Sequence, residues 1–474
     1  MRFHFRERWF AVVLIGVAGC ASVPPDRGYA DVREQVRERG VALPADADAD
    51  RSALIDEILA QPISAEAAVR LALVNNPRVR AEFAKLGVTG AEVVQAGRLS
   101  NPTLAATWQA SSRSSDASRY DLGLTQNFTQ LLLIGARTRF AKGEFERAKL
   151  DATQRVLDLA AEVSCAYYEA VGARQVAQMR ATIADAAVAS AELAARFKDA
   201  GNATALELAI QQAAASQAQL DEERAGLAAD HAAVALNEKM GLDASAHWQI
   251  ADSLPVPRSA DDPLDALQEL ARAQRADLDS DRRAVVLLED ALGLTRSYRY
   301  LGEVEVGAQY ERDTDRSRLI GPSLSIQLPI FNQGQAAVLR AESLLDAARA
   351  QARAKELEIS NAVLKARDSV VAARQRLTRL SDETIPLREQ IVARTQEQVN
   401  YMLVGVFDLI RAKQDEYDAY QLYLEAIRDY WLARMDLWRA VGGRLPGDLP
   451  VLPDVGPAAA LDVSNRADHH HGER

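Results

Sequence analysis

Two segments of this 474-residue chain alternate apolar and polar residues with the two-residue period of a β-strand, and a polar loop interrupts each of them. The first covers about 102–129 and the second about 302–330. Each limb has about the 9–11 residues that a tilted strand needs to cross a bilayer. The flanking sequence is rich in Ala and helical in pattern, so it offers no second layer for a soluble sandwich. The pattern therefore predicts two hairpins with four membrane-spanning strands.

The apolar positions of this alternation form one side of the predicted sheet. The polar positions, which include Glu303 and Glu305, suit cation passage or any other wet lumen. Four strands cannot close on themselves, and an open edge in lipid leaves backbone groups unsatisfied at several kcal/mol each. A barrel would therefore need several chains. The residues predicted to face lipid are Leu104, Trp108, Leu122, Leu124, Phe128, Val304, Val306, Tyr310, Leu324, Ile326, Leu328 and Ile330.

Residues 1–19 have the parts of a signal peptide: basic residues, an apolar run and a small-residue cleavage site before Cys20. Cys20 directly after Ala18 and Gly19 resembles the bacterial lipoprotein signal, which implies that this cysteine is acylated. No Asp stands directly after Cys20, and by the same resemblance this favours the outer membrane. Residues 20–62 are then expected to be a lipidated linker with a short helix or two. An ordinary signal peptide with an incidental cysteine is the alternative.

The composition favours long helices and argues against several functional classes. Aromatic residues make up 6% of the chain, and no proline occurs between Pro102 and Pro255. The net charge of −11 makes nucleic acid an unsuitable partner. No nucleotide-binding loop, zinc-ligand spacing or supported catalytic triad is present, so we expect neither an enzyme nor a cofactor. Cys165 is expected to be a packing residue. Three tail histidines form either a solvated end or a weak metal site: His469, His470 and His471.

The helical remainder repeats one plan, which predicts a first repeat at 63–250, a second at 251–443 and a tail at 444–474. In each half a long helix follows the hairpin, and a shorter helix returns after a tight turn. The long helices are expected at about 136–199 and 334–400. At 1.5 Å per residue such helices are roughly 100 Å long. We therefore expect long helical columns, with short helices stacked end to end beside the long ones.

Gly and Pro mark the predicted breaks in these helices. Gly201 and Gly405 are each expected to end a long helix, because Gly readily adopts the left-handed conformation found at helix C-termini. Pro77 is expected to break the first helix, and Pro386 to bend the second long helix. The segment 263–298 has the pattern of one uninterrupted helix before the second hairpin.

Short motifs, taken together with the lipoprotein-like signal and the repeat, resemble those of the TolC-type outer-membrane factor (outer membrane efflux protein) family. They are Ala67–Pro77, Leu328–Gly334, the two Gly turns and Arg439–Gly442, and the resemblance covers about 64–443. It implies a mostly α-helical homotrimer with a helical tunnel and a membrane β-barrel of twelve strands. It also implies a passive exit duct that works with a periplasmic adaptor protein and an inner-membrane transporter in a tripartite efflux system.

The cargo of such a duct is open. Segments 87–102 and 400–409 are most similar to family members that accompany heavy-metal or copper export, so metal cations are one hypothesis. The exit duct of a type I protein secretion system is an alternative within the family. A lipid-anchored periplasmic helical scaffold, with two incidental hairpins, is an alternative from another class.

The resemblance also assigns site residues. Adaptor docking at the helical tips carries over to the residues around the two turns, although helix termination alone explains the glycines: Ala200, Gly201, Asn202, Val404, Gly405 and Val406. Acidic rings that close the periplasmic end carry over to Glu207, Asp408 and Asp415, for which a solvated helix face is the alternative. Converging carboxylates repel one another, which raises their pKa values, and they bind cations. Asp408 follows its glycine by three residues and Glu207 by six, so the second turn departs from the family spacing.

Overall fold

The computed structural model describes most of the chain, which divides into two compact units. The sheet unit contains the residues up to Tyr29, Glu82–Ala152 and Ala276–Lys355. The hairpin unit, named for its two helical hairpins, contains Ala30–Ala81, Thr153–Arg275 and the residues from Glu356 onwards. The described residues are 23–44, 51–110, 117–258 and 260–446, without the side chains of 51–54. The predicted signal peptide, Cys20 and the three tail histidines lie outside them.

The described elements are mostly helices with one four-stranded sheet, which confirms the fold class predicted from the sequence. The helices are α1 (Tyr29–Glu38), α2 (Arg51–Leu59), α3 (Ala65–Asn75), α4 (Pro77–Ala96), α5 (Phe128–Asp199), α6 (Ala205–Met240), α7 (Leu264–Gln274), α8 (Ala276–Tyr298), α9 (Gln335–Arg379), α10 (Ile385–Asn400) and α11 (Val406–Val441). The strands are β1 (Thr103–Gln109), β2 (Arg119–Asn127), β3 (Val304–Arg312) and β4 (Arg318–Ile326). No described helix combines the length and the apolar character needed to cross a membrane.

The strands form an antiparallel sheet in the order β1-β2-β3-β4. Each hairpin pairs its own two strands, and β2 pairs with β3 from the other half of the chain. Strands β1 and β4 therefore lie at the edges, and the outer backbone groups of both lack a strand partner within the described chain. Such edges are tolerated in lipid only when another strand pairs with them.

The long helix α5 begins directly after β2, so the start predicted for it at about residue 136 was wrong. Asn127 ends the strand, and its side-chain oxygen accepts a hydrogen bond from the Gln130 N–H at 3.0 Å. This bond satisfies one of the free N–H groups in the first turn of the helix. Phe128 is consequently the first residue of α5 rather than a strand residue. At the same end of the sheet, Leu328 and Ile330 follow Ile326, the last residue of β4.

Equivalent helix ends in the two halves of the hairpin unit are separated by a constant 201 residues in the sequence. This separation relates the ends of the long helices, both ends of the return helices and the glycines that follow them. It indicates an internal twofold repeat in which neither half gained or lost a residue between these points. The equivalent residues are Asp199 and Asn400, Ala205 and Val406, Met240 and Val441, and Gly241 and Gly442.

The repeat reproduces a close backbone contact at the end of each return helix. Gly241 (φ +73°) lies against Asn76, and a Cβ added to it would meet the Asn76 Cα at 2.8 Å. Gly442 (φ +87°) lies against Arg275 in the same way, with 3.0 Å to the Arg275 Cα. Asn76 and Arg275 are the extended residues that separate α3 from α4 and α7 from α8. Only glycine combines this approach with a left-handed φ.

This contact corrects the prediction of one helix over 263–298. The chain is interrupted at Arg275, although no proline stands there. The Arg275 guanidinium donates to the carbonyl of Arg439 at 3.2 Å, near the C-terminus of α11. Cations near helix C-termini are favoured because the last carbonyls carry partial negative charge. The break is therefore set by a helix end that is distant in sequence.

The two prolines act differently. Pro77 is the first residue of α4, and the preceding Asn76 is extended, as residues before proline prefer, which confirms the predicted break. Pro386 lies in the first turn of α10, directly after a π-helical turn, Leu380–Thr384. The Ile385 N–H donates to the Leu380 carbonyl in this wider turn. The bend at Pro386 stays a prediction. The structure shows one extra residue in the helical turn before this proline, which itself has no N–H to donate.

Within the segment 20–62 the structure describes two short helices, α1 and α2. Helix α1 buries Val32 and Val36 completely. The Arg39 side chain donates to the carbonyl of Gln274 at 2.7 Å, and Thr153 donates to Gln35 at 2.8 Å. These contacts place α1 within the core of the hairpin unit.

Candidate functional site: the sheet faces and the helical tips

One face of the sheet is mostly apolar along all four strands. The register places Leu124 between Leu104 and Ala308, and Ala308 opposite Pro322, so that one row of apolar side chains crosses the middle of the sheet. Leu104 is 71% exposed and Leu124 49% exposed. A soluble chain rarely leaves such a continuous face in water, because burying apolar area is favourable.

Most of the side chains predicted to face lipid share this face. They are Leu104, Trp108, Leu122, Leu124, Val304, Val306, Tyr310, Leu324 and Ile326. Phe128, Leu328 and Ile330 lie outside the strands, although all three are exposed. The sequence reasoning missed Tyr120 and Ile320, which the register adds to the same face. Both residues continue the alternation of their own strand toward the hairpin loop.

The opposite face is polar. Arg119 is its one basic residue within the strands, and it pairs with Asp121 at 3.3 Å and with Glu311 at 2.5 Å. Asp121 and Glu311 are directly opposite one another, an arrangement of like charges that the guanidinium between them relieves. Glu305 lies toward the other end of this face, where it pairs with Asn127 and Ser325. One arginine and three acids leave this face with excess negative charge.

The two tips of the hairpin unit have the same backbone. Gly201 (φ +79°) follows α5 and Met402 (φ +59°) follows α10. In both turns the next residue donates its N–H to the carbonyl five residues earlier, at 2.8 and 2.9 Å. This is the Schellman arrangement of a helix C-terminus. The two tips also lie close together, with the rings of Phe197 and Phe407 6.3 Å apart.

Met402, rather than Gly405, is therefore the counterpart of Gly201, and the prediction that Gly405 ends a long helix was wrong. Gly405 has φ −78° and begins α11, as Thr204 begins α6. The predicted tip residues Val404 and Val406 flank this helix start. The exposed residues of the second turn are instead Tyr401, Met402 and Leu403, at 76%, 93% and 72%. The first turn exposes Ala200, Gly201 and Asn202.

The corrected register also removes the irregular spacing of the two tip acids. Glu207 follows Gly201 by six residues, and Asp408 follows Met402 by six. Both carboxylates accept a hydrogen bond from the N–H of the residue that begins the helix. Thr204 donates to Glu207 at 2.6 Å, and Gly405 donates to Asp408 at 3.1 Å. Both acids thus stabilise helix N-termini.

Asp415, the third predicted gate residue, pairs across the second helical hairpin. It accepts a hydrogen bond from Arg388 of α10 at 2.9 Å. Near this pair, the Tyr420 hydroxyl donates to Glu389 at 2.5 Å. That bond raises the pKa of Tyr420 to about 12. These contacts fasten α11 to α10.

The left-handed Met402 yields a stability prediction. A residue with a Cβ costs about 1–2 kcal/mol in this conformation, so Met402→Gly is expected to stabilise the second helical hairpin by about 1 kcal/mol. Urea unfolding with hydrogen-exchange detection of α10 and α11 measures the gain. Gly201→Met is the matched reverse change and is expected to destabilise the first tip. Equal stability of Met402→Gly and wild type would contradict the strain argument.

The capping of α6 yields a pH prediction. Hydrogen bonds from the backbone and then the side chain of Thr204 lower the pKa of Glu207. A carboxyl with a lowered folded pKa stabilises above its unfolded pKa, about 4.3, and loses this contribution as the pH falls through the folded value. Amide protection in the first turn of α6 should therefore decline in acid. Glu207→Gln should remove this decline, and the same acid sensitivity in the variant would count against it.

Chemistry beyond these faces and tips is sparse in the described part of the chain. No group of three or more His, Cys, Asp or Glu side chains there has the arrangement of a metal site. Burial raises the pKa of Cys165 to about 11, so at neutral pH this residue is a packed thiol rather than a thiolate ligand.

Comparison with known proteins agrees with this geometry. The family model described as Outer membrane efflux protein matches residues 68–242. The chain is 24% identical over 403 residues to the cobalt-zinc-cadmium resistance protein CzcC of Cupriavidus metallidurans, covering 81% of this chain and 91% of CzcC.

Solved structures show the fold. The CmeC outer membrane channel of Campylobacter jejuni superimposes with a TM-score of 0.67 at 15% identity, over 85% of this chain and 89% of CmeC. The CusC structure also gives a TM-score of 0.67, at 14% identity, over 80% of this chain and 92% of CusC. The family match, the relative and the solved structures agree with the two-faced sheet and the repeated helical tips, and over residues 68–242 the chain is similar to the outer membrane efflux protein family.

Proposed function

We propose that this chain is the outer-membrane exit duct of a tripartite efflux system. Members of the family that matches residues 68–242 are passive outer-membrane channels, so the chain is not an enzyme. The main support for this proposal is the sheet, which has an apolar face, a polar face and two edge strands without an outer strand partner in the described chain. Three copies would pair β4 of one subunit with β1 of the next, which closes the sheet around its polar face.

Reconstitution tests this function. The purified full-length protein should form heat-modifiable trimers from outer-membrane fractions, and these trimers should conduct ions in planar bilayers. The competing scaffold function predicts a protein that is a soluble monomer after its lipid anchor is removed and conducts nothing. Mass spectrometry of the mature N-terminus measures the proposed acylation of Cys20 separately.

The proposed cargo is heavy-metal cations. The similarity to a cobalt-zinc-cadmium resistance protein supports this, and the acidic excess on the polar face suits cation passage. Deleting the gene should lower tolerance to cobalt, zinc and cadmium more than tolerance to drugs. Unchanged metal tolerance, with loss of export of a protein substrate, would favour the type I secretion duct.

The partners proposed are a periplasmic adaptor at the helical tips and an inner-membrane transporter behind it. The exposed side chains of the second turn support the first of these, because apolar groups that are well exposed on a surface commonly mark a binding site. Crosslinkers placed at Met402 and at Asn202 should capture the adaptor in cells. A crosslinker at Val256, which is 88% exposed in the segment after α6, is the control and should not.

The polar face yields a prediction about ion selectivity. Its acidic excess should make the open duct prefer cations, since fixed charges of one sign raise the local concentration of the other. Replacing Glu305 and Glu311 by Gln should move the cation-to-anion permeability ratio toward one, and Arg119→Gln should move it away from one. Reversal potentials in a salt gradient measure both. Gln309→Asn, on the same face, is the neutral control, and four equal ratios would contradict the prediction.

A further inference from the structure

A row of four side chains crosses the apolar face of the sheet next to the hairpin loops. The register places Trp108 opposite Tyr120, Tyr120 opposite Arg312, and Arg312 opposite Arg318. The row below it contains Leu122, Tyr310 and Ile320 in the same order, preceded by Ala106. Within a single row the face therefore changes from apolar side chains to two aromatic rings and two guanidinium groups.

The two arginines of this row are an unfavourable pair as they stand. Like charges that lie directly opposite each other on neighbouring strands repel. Neither guanidinium makes an ion pair with another residue in the described part of the chain. The Arg312 Nε is buried, and none of the described residues accepts a hydrogen bond from it. Buried donors of native proteins are nearly always satisfied, so an orphan of this kind points to a missing acceptor.

The neighbouring carboxylates are already engaged. In the loop, Asp313 accepts the N–H of Thr314 at 2.7 Å, and Asp315 accepts the N–H of Ser317 at 2.8 Å. Glu311 belongs to the opposite face, where it holds Arg119. These engagements leave Arg312 and Arg318 without a carboxylate acceptor among the described residues, and an anion brought by a ligand fits both guanidinium groups.

We propose that Arg312 and Arg318 bind the phosphate of a membrane lipid headgroup on the hairpin-loop side of the bilayer. Guanidinium groups hold phosphate oxygens through paired, charge-assisted hydrogen bonds. Trp and Tyr favour the membrane–water interface, which places Trp108 and Tyr120 at the same depth as the phosphate. The acyl chains of that lipid then contact the row of Leu122 and Ile320. The inference rests on the proposed membrane position of the sheet.

Native mass spectrometry of the purified full-length protein tests the site. The probe is a bisphosphorylated glucosamine lipid, and the comparison is the same lipid after enzymatic removal of its phosphates. Wild type should retain the phosphorylated lipid at least tenfold more strongly than the dephosphorylated one. The variant R312Q/R318Q should lose this preference, and R312K/R318K should keep part of it. R316N removes one charge from the adjacent loop and should match wild type.

Three results would overturn the inference. These are equal retention of the phosphorylated lipid by wild type and R312Q/R318Q, equal retention of both lipids by wild type, or displacement of the lipid by millimolar inorganic phosphate, which means a free-anion site. Conductance and heat-modifiable trimers confirm that each variant folds. A wild type that retains the phosphorylated lipid without conducting contradicts the proposed duct alone.

Discussion

Leu124→Arg should abolish assembly of the protein in the outer membrane. Leu124 lies in the middle row of the apolar face, between Leu104 and Ala308. An arginine at the midplane on the lipid side of a barrel costs about 2–4 kcal/mol, hence roughly 6–12 kcal/mol for three copies in a trimer. The heat-modifiable trimer should disappear from outer-membrane fractions on gels, while the chain accumulates in the periplasm or is degraded.

The next residue supplies the matched control. Thr125 lies at nearly the same depth but on the polar face, opposite Thr103 and Gly307. Thr125→Arg should assemble like wild type, because its guanidinium lies in a wet lumen. Normal trimers from Leu124→Arg, or equal loss of both variants, would show that the sheet does not present Leu124 to hydrocarbon.

Gly241→Ala should destabilise the hairpin unit by roughly 3 kcal/mol, from the left-handed conformation together with the backbone overlap. The new methyl group would lie 2.8 Å from the Asn76 Cα and 3.0 Å from its backbone nitrogen. Backbone atoms cannot rotate away as a side chain does, so the helix end must move. Trp248, which donates to Asn237 of α6 at 2.5 Å, provides a fluorescence signal for urea unfolding of this region.

Gly201 separates the two causes of that loss. It has nearly the same φ, +79°, but an added Cβ would meet nothing within 4 Å. Gly201→Ala should therefore cost only the conformational part, about 1 kcal/mol. Gly442→Ala, against Arg275, should behave like Gly241→Ala because the repeat preserves the contact. Equal losses at Gly201 and Gly241 would show that the backbone contact contributes little.

The parts of the fold that follow from local physics were predictable from the sequence. A strand with lipid on one side and water on the other must alternate, and this alternation located all four strands to within a few residues. Long helices without proline, and the return helices of each half, were equally predictable, because the residues that favour a helix lie within these segments themselves. The proposal that further chains complete the barrel rests on the same count of four strands and stays a prediction.

The errors arose where distant residues decide the outcome. The break at Arg275 depends on Gly442, which lies in another part of the sequence, and no local breaker announces it. Gly405 drew attention as a helix terminator because it is glycine, whereas a methionine occupies the left-handed position. If Asp408 is taken as the equivalent of Glu207, the residue six positions earlier in the second turn is Met402, the counterpart of Gly201. This spacing could have identified Met402 from the sequence. The opposition of Arg312 and Arg318 could be recognised only once strand pairing was known.

The two helical tips share a backbone but differ in what they expose, with Tyr401, Met402 and Leu403 on one and Ala200, Gly201 and Asn202 on the other. The proposed trimer would contain six such tips with the same backbone conformation. Tips with large apolar side chains would then alternate with tips that carry small side chains. A ring of six equivalent partner subunits would therefore contact two chemically different kinds of tip, one after the other. Such a ring must either pair up its members as three dimers or leave every second member weakly held.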